Sequence, residues 1–247
     1  MIHCNPFQPA RQPELVWSQL WPLHGTAYRG QGWSENLKPG LHLVLDDSGE
    51  EARRWLPLFA GAEVPAQGQV SCAGINSQAH RADYFSHVYW HNPRAGFVER
   101  DISAQSWLQG QAERWSNWEE ADCLRHCQGF GLLPFLRKPV WQLSTGSQRK
   151  LGLVAALSSG ARLTLIEEPI AGLDSQSIRY LEQALDALAE RQADGSLLPR
   201  WILVAHWESL AHVMWDEVLT FPSVDNLGAG TNWQEGDGHR QHILQLE

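Results

Sequence analysis

Apolar-rich runs at Leu41–Leu45, Arg162–Ile166 and Trp201–Ala205 alternate with segments of helical character, and that alternation leaves few architectures open. A five-residue run with apolar side chains on both faces belongs inside a sheet that is covered on both sides. Strands that alternate with helices at these intervals imply an α/β fold, a mostly parallel sheet flanked by helices. Glu50 to Gly61 opens with acidic residues and closes on Leu56, Leu58, Phe59 and Ala60, which reads as a helix after the first strand and its Asp46-Asp47-Ser48-Gly49 turn. Ser147 to Leu157 is a Leu- and Ala-rich helix, and Ser175 to Gln192 places Ile178, Leu181, Leu185 and Leu188 on one helical stripe. Gln69–Cys72 and Phe85–Trp90 read as shorter strands. Ile102 to Leu132 favours helix, with Trp107, Leu108, Trp115, Trp118 and Leu124 as candidate buried positions. The stretch after Phe221, with Gly228, Gly230, Gly236 and Gly238, reads as loose and polar until Ile243-Leu244.

Composition narrows the function. The 247 residues suffice for one main domain, and 43% hydrophobic with 19% charged residues is an ordinary globular mix. With 19 Lys and Arg against 28 Asp and Glu, the formal net charge of -9 lacks the basic field that nucleic-acid binding requires, so no nucleic-acid partner is expected. No apolar run reaches the roughly 18 to 20 residues of a membrane-spanning helix. Met1–Pro6 has neither a basic nor an apolar leader character, and four scattered cysteines fit a reducing cytoplasm. The 13 tryptophans fit either an aromatic core or an interface. Cys123, His126 and Cys127 share a helical face but lack a fourth ligand and the usual zinc spacing, which favours a buried, reduced pair over a metal site.

Four short elements then stand in a telling order: Leu143-Ser144-Thr145-Gly146-Ser147 at a helix start, Leu163 to Pro169 around Glu167 and Glu168, Gly172-Leu173-Asp174, and Val204-Ala205-His206. In this order and spacing they resemble the signature motif, Walker B strand, D-loop and switch histidine of ABC-type ATPases, the nucleotide-binding subunits of ABC transporters. The resemblance runs from about Lys38 to Phe221. It implies a P-loop NTPase-like, RecA-like domain over residues 1–247, with a small antiparallel β part and a helical signature subdomain at about 102–160. It also implies that Ser144, Thr145, Gly146 and Ser147 meet nucleotide held by another subunit. The physics agrees: a hydroxyl, free N–H groups and the positive dipole end at a helix start suit a phosphate, whereas the plain structural role of Ser144 is a helix cap. By the same resemblance Glu167 stands at the Mg²⁺ side, Glu168 orients water, and His206 faces the γ-phosphate. His24 and Tyr28 are the two candidates for the aromatic that stacks on adenine.

The chain departs from the pattern where the phosphate-binding loop Gly-x-x-x-x-Gly-Lys-Ser/Thr is due. Alignment on Leu58–Gly61 places the loop on Asp46, Asp47, Ser48, Gly49, Glu50, Glu51, Ala52, Arg53 and Arg54, with Ala52 at the Lys position and Arg53 at the Mg²⁺-binding hydroxyl position. Losing the Lys removes a charge-assisted contact of roughly 1.5–3 kcal/mol. Each nearby carboxylate adds repulsion on the order of 1–4 kcal/mol at about 4 Å. Trp90 stands at the Q-loop glutamine position, Glu167 replaces the Walker B aspartate, and Thr145 and Ser147 replace a signature Gly and Gln.

The losses fall on the cis half of the site and spare the signature's Ser144 and Gly146. The resemblance therefore implies a degenerate ABC subunit that pairs with a competent ATPase subunit and an integral membrane subunit, sharing ATP and Mg²⁺ with the former. Glu168 and His206 would then be idle, and the chain would be cytoplasmic or peripheral on the inner face of the membrane. Two alternatives stand beside it: a nucleotide-independent ABC-like binding module, and a self-sufficient ATPase in which Arg53 or Arg54 replaces the missing Lys.

Overall fold

The structure, a computed structural model, describes residues 14–22 and 32–223. In chain order its elements are β1 Leu15–Trp21, β2 Trp33–Leu37, β3 Gly40–Leu45, α1 Glu51–Phe59, β4 Gln67–Cys72, β5 Ile75–Asn76, α2 Arg81–Ser86 and β6 Val88–His91. Then follow α3 Ala104–Arg114, α4 Glu120–Gly129, α5 Thr145–Ser158, β7 Leu163–Glu167, α6 Ser175–Ala193, β8 Trp201–His206 and β9 Glu217–Thr220. His24, Tyr28 and the Gly-rich stretch beyond Phe221 that starts at Gly228 lie outside the described residues.

The three apolar runs become the centre of a five-stranded sheet in the order β6-β7-β8-β3-β9, whose paired strands are all parallel. Their side chains divide with period two. Leu41, Leu43, Ile166, Ile202 and Val204 join α4, α5 and α6 in one core, and Val44, Leu163, Leu165, Trp201, Leu203 and Ala205 join α1 in the other. Helices on both faces are the reason these strands read as continuous apolar runs.

A four-stranded antiparallel sheet, β2-β1-β4-β5, closes the second core. Here the tryptophans collect. Trp17 packs on Trp33 and on Phe59, each with ring centroids 4.8 Å apart, and Trp33 packs on Trp55 at 5.2 Å. Trp55 and Trp201 are fully buried and keep their polar handles by donating to the carbonyls of Pro222 and Leu37.

Three local expectations need correction. Phe85 and Ser86 end α2, and the strand begins only at Val88. The segment Ile102–Leu132 is two helices, because the Ser116-Asn117 turn breaks it after Trp115. The Asn117 carbonyl there lies 2.4 Å from where a Cβ on Gly160 would stand, and Gly160 sits at φ +58°, so this close approach requires glycine. Leu124 is exposed, because α4 turns Cys123, His126 and Cys127 inward instead. Leu108 and Trp115 are buried as expected, and Trp107 and Trp118 are half-buried against the first core.

Candidate functional site

β3 and β8 run side by side, with Leu45 paired to His206, so the loops that leave their C-terminal ends meet. The Asp46 amide donates to the His206 carbonyl at 3.0 Å, which ties the start of the loop to β8. A tight turn over 46–49 follows, with Gly49 at φ +70°, and α1 begins. Glu50, at the N-cap, makes no side-chain cap. Asp46 does that work from further back: its carboxylate accepts the Ala52 amide at 2.9 Å, the Glu51 amide at 3.2 Å and the Ser48 hydroxyl at 3.2 Å. An anion thus sits on the N–H groups of a helix start, the place a phosphate takes in a phosphate-binding loop. Here that anion is the chain's own. Arg53 and Arg54 pair along the helix with Glu50 and Glu51, at 3.3 and 3.2 Å. Asp47 is exposed beside them.

Next to this loop β7 ends in Glu167, which is 1% exposed. Glu168 follows at φ +46°, a left-handed conformation that costs a non-glycine residue on the order of 1 kcal/mol. Its amide is held by the Ala205 carbonyl at 3.1 Å. His206 is buried, with Nδ1 2.9 Å from the Glu208 carbonyl. A cavity of about 360 Å³ is lined by Asp46, Ala52, Glu167, Glu168 and His206.

A further participant is Arg94, which the sequence motifs did not single out. Its guanidinium pairs with Glu167 and lies 3.4 Å from Glu168 Oε1. The Asn92 side chain accepts the Arg94 amide at 2.9 Å, so an Asx turn across Pro93 folds the chain back toward the carboxylates. The available signal was that Asn-Pro turn with a cation behind it. Burial pushes the Glu167 carboxyl above its ordinary range, and Arg94 opposes the shift without cancelling it. Trp90 belongs to β6, paired with Leu165, and packs on the second core; Arg94, not Trp90, is the residue of this segment that reaches the carboxylates.

Ser144–Ser147 lie elsewhere, at the start of α5. Ser144 is exposed and caps the helix, its hydroxyl accepting the Ser147 amide at 3.1 Å and meeting the Ser147 hydroxyl at 3.0 Å. Thr145 is exposed and Gly146 half-buried. A Cβ on Gly146 would lie 2.8 Å from the Gly172 carbonyl, so the Gly172–Asp174 loop packs directly on the start of α5. Asp174 caps α6 through the Ser177 amide at 2.9 Å and receives Lys150 Nζ of α5 at 2.5 Å, which holds its carboxyl well below the usual range. Leu173 between them is half-buried against the first core. The structure therefore joins Ser144–Ser147 with Gly172–Asp174, and Asp46–Glu51 with Glu167, Glu168 and His206.

The second group does not fit a triphosphate and its metal. The Glu51 and Ala52 amides already carry Asp46, no Lys or hydroxyl follows them, and a guanidinium pairs with the carboxylates where a divalent cation would be held. Cys123 and Cys127 are buried free thiols on α4, and His126 Nδ1 lies 2.8 Å from the Tyr180 hydroxyl. Among the described residues, no cluster of three or more His, Cys, Asp or Glu side chains could hold a metal ion.

No family model matches the chain. Among curated proteins, a cytochrome c biogenesis ATP-binding export protein of Bordetella bronchiseptica is 29% identical over 153 residues, covering 62% of this chain and 68% of its own length. A taurine import ATP-binding protein of Pseudomonas putida is 29% identical over 161 residues, covering 62% of this chain and 58% of its own length. Among solved structures, an ATP-binding subunit of an ABC transporter superposes with a TM-score of 0.67 at 17% identity over 84% of this chain and 85% of its own. An ABC transporter ATP-binding protein of Pyrococcus furiosus gives 0.65 at 15% identity over 84% and 97%. Sequence and fold agree: the chain is similar to the ATP-binding subunits of ABC transporters and is built on the ABC-type ATPase fold.

Proposed function

We propose that this chain is an ABC-type ATP-binding subunit that does not load MgATP on its own loop and instead completes the ATP site of a competent partner subunit, in a transport assembly with an integral membrane subunit. The observation that carries this reading is the contrast between the two halves. In the loop half the α1 amides are taken by Asp46 and the carboxylates by Arg94, while in the signature half Ser144 and Thr145 are exposed, capped and backed by the D-loop. The names of the relatives, one an export and one an import protein, support a role in transport. Among the described residues no helix is long and apolar enough to cross a membrane. Residues 1–247 form one domain in this reading, with about 102–160 as the helical signature subdomain.

In that role Ser144 exchanges its hydrogen bond to the Ser147 hydroxyl for one to the partner's γ-phosphate. A charge-assisted bond is roughly twice as strong as the neutral one it replaces, so the exchange favours the assembled state. Gly146 allows the close packing of α5 on Gly172, and the Lys150–Asp174 pair ties the D-loop to the same helix. Glu167, Glu168 and His206 stay on the unused side. The test is Ser144→Arg in the assembled complex: ATP hydrolysis falls by an order of magnitude or more on losing such a contact. Unchanged hydrolysis refutes the reading.

One observation favours a second reading, a nucleotide-independent module. Two internal charges already fill the cis site, and such a site needs no ligand to be electrostatically complete. Partner affinity that is indifferent to nucleotide would select it. The self-sufficient ATPase is disfavoured by the commitment of Arg53 and Arg54 to Glu50 and Glu51.

A further inference from the structure

We infer that Arg94 is a resident counter-ion, a side chain that takes the place of a divalent cation between Glu167 and Glu168 and locks the site in a metal-free form. The inference rests on the reading that this chain's own site does not load MgATP, and it adds the device that keeps the metal out.

A carboxylate as buried as Glu167 demands a cation or a proton, since burial alone is costly for the charged form. Arg94 meets that demand with two nitrogens on two carboxylates, one at Glu167 and one 3.4 Å from Glu168 Oε1. Arg53 pairs with Glu50 and adds only a weaker, longer-range attraction to Glu167, and Arg54 pairs with Glu51. The position of Arg94 is built rather than incidental. Pro93 and the Asn92 side chain fix the turn that carries it, and the Ala95 amide closes the same turn on the Asn92 carbonyl at 3.2 Å. Glu168 is held in its left-handed conformation by β8, and this conformation brings its carboxylate alongside Glu167.

A guanidinium fills only part of what the carboxylates offer. Glu167 Oε2 is buried and accepts no hydrogen bond from a described residue, and Glu167 lines the cavity beside Asp46 and His206. Hard divalent cations seek oxygen ligands of this kind and keep several waters. The Arg94 charge excludes such a cation by repulsion and by occupying Oε1 of both Glu167 and Glu168. Removing the guanidinium should uncover a cation site that the intact chain hides.

The probe is Mn²⁺, titrated into the purified full chain and followed by the electron paramagnetic resonance of free Mn²⁺ and by thermal unfolding. The wild-type chain is expected to show no saturable binding into the millimolar range. Arg94→Ala should bind Mn²⁺ at least about tenfold more tightly than wild type, the scale expected when a repelling charge at contact distance is removed. It should also unfold about 4–8 °C lower without metal and recover part of that loss with Mn²⁺, as expected when one partner of a mostly buried pair is lost. Arg94→Lys should still exclude Mn²⁺ by its charge but be less stable than wild type, since one ammonium cannot reproduce the two-pronged contact, and Arg94→Ala with Glu167→Gln should lose the gained binding. If Arg94→Ala does not fold, Arg94→Gln carries the same comparison. Wild type binding Mn²⁺ as tightly as the variant, or a variant that gains none, overturns the inference. None of these measurements needs a partner subunit, so failure here and failure of the Ser144→Arg test are separate results.

Discussion

Asp46→Ala removes the acceptor on which the start of α1 depends. In the wild-type chain the buried carboxylate takes the Ala52 amide at 2.9 Å and the Glu51 amide at 3.2 Å, and Glu50 offers no substitute cap. A hydrogen bond to a charged group contributes about 1.5–3 kcal/mol, and an unsatisfied buried donor costs its desolvation in full. The two bonds share one residue and the loop can relax, so the sum is less than twice the single value. The loss worked from this geometry is about 3 kcal/mol, a fall in Tm of about 6–12 °C for a chain of this size. Asp46→Asn keeps one acceptor oxygen but points an N–H at the other donor, and should lose about half as much. Thermal unfolding by circular dichroism, checked by urea titration, reads both. If Asp46→Ala lies within about 0.5 kcal/mol of wild type, the carboxylate is not the cap, and its role as an internal stand-in for phosphate is wrong.

Gly146→Ala drives a methyl into the Gly172 carbonyl, 2.8 Å from the new Cβ; we expect a loss of about 1–3 kcal/mol in urea unfolding and weaker support of partner ATP hydrolysis. His91 and His126 are both pushed down to about 4, chiefly by burial. A depressed imidazole contributes stability that is complete above its ordinary value near 6.5 and is lost as pH falls toward 4. Replacing His91 with Gln should therefore flatten the fall in stability between those values, by up to about 3 kcal/mol for a fully buried ring, and an unchanged pH profile would contradict the assignment. Cys123 and Cys127 should take up no zinc in a stoichiometric titration of the reduced chain, and one bound equivalent would show that the α4 cluster is a metal site after all.

The sheet was legible because Leu41–Leu45, Leu163–Ile166 and Trp201–Ala205 are apolar on both faces, a demand that only a doubly covered parallel sheet meets. The helix α6 was legible from Leu181, Leu185 and Leu188, whose spacing survives as burial. The break after Trp115 was not, since Trp115 and Trp118 keep the helical spacing while the Ser-Asn turn between them ends the helix. At the site, the absence of a Gly-x-x-x-x-Gly-Lys-Ser/Thr pattern was visible in the sequence, but how the 46–54 segment folds without it was not. Asp46 read as one more repelling carboxylate, and its capping of α1 depends on how tightly the turn folds back. Arg94 meets Glu167 across 73 residues of chain, a closure that no local pattern encodes. Arg53 and Arg54 stood equally open to the cavity or to Glu50 and Glu51, and side-chain packing along the helix decided it.

The most direct test is a titration of MgATP into the purified chain alone, by calorimetry or equilibrium dialysis, carried into the millimolar range. If Asp46 holds the phosphate position and Arg94 the metal position, the chain shows no saturable binding. Saturable binding near one equivalent per chain would contradict the account, because it would require both internal charges to give way to ligand.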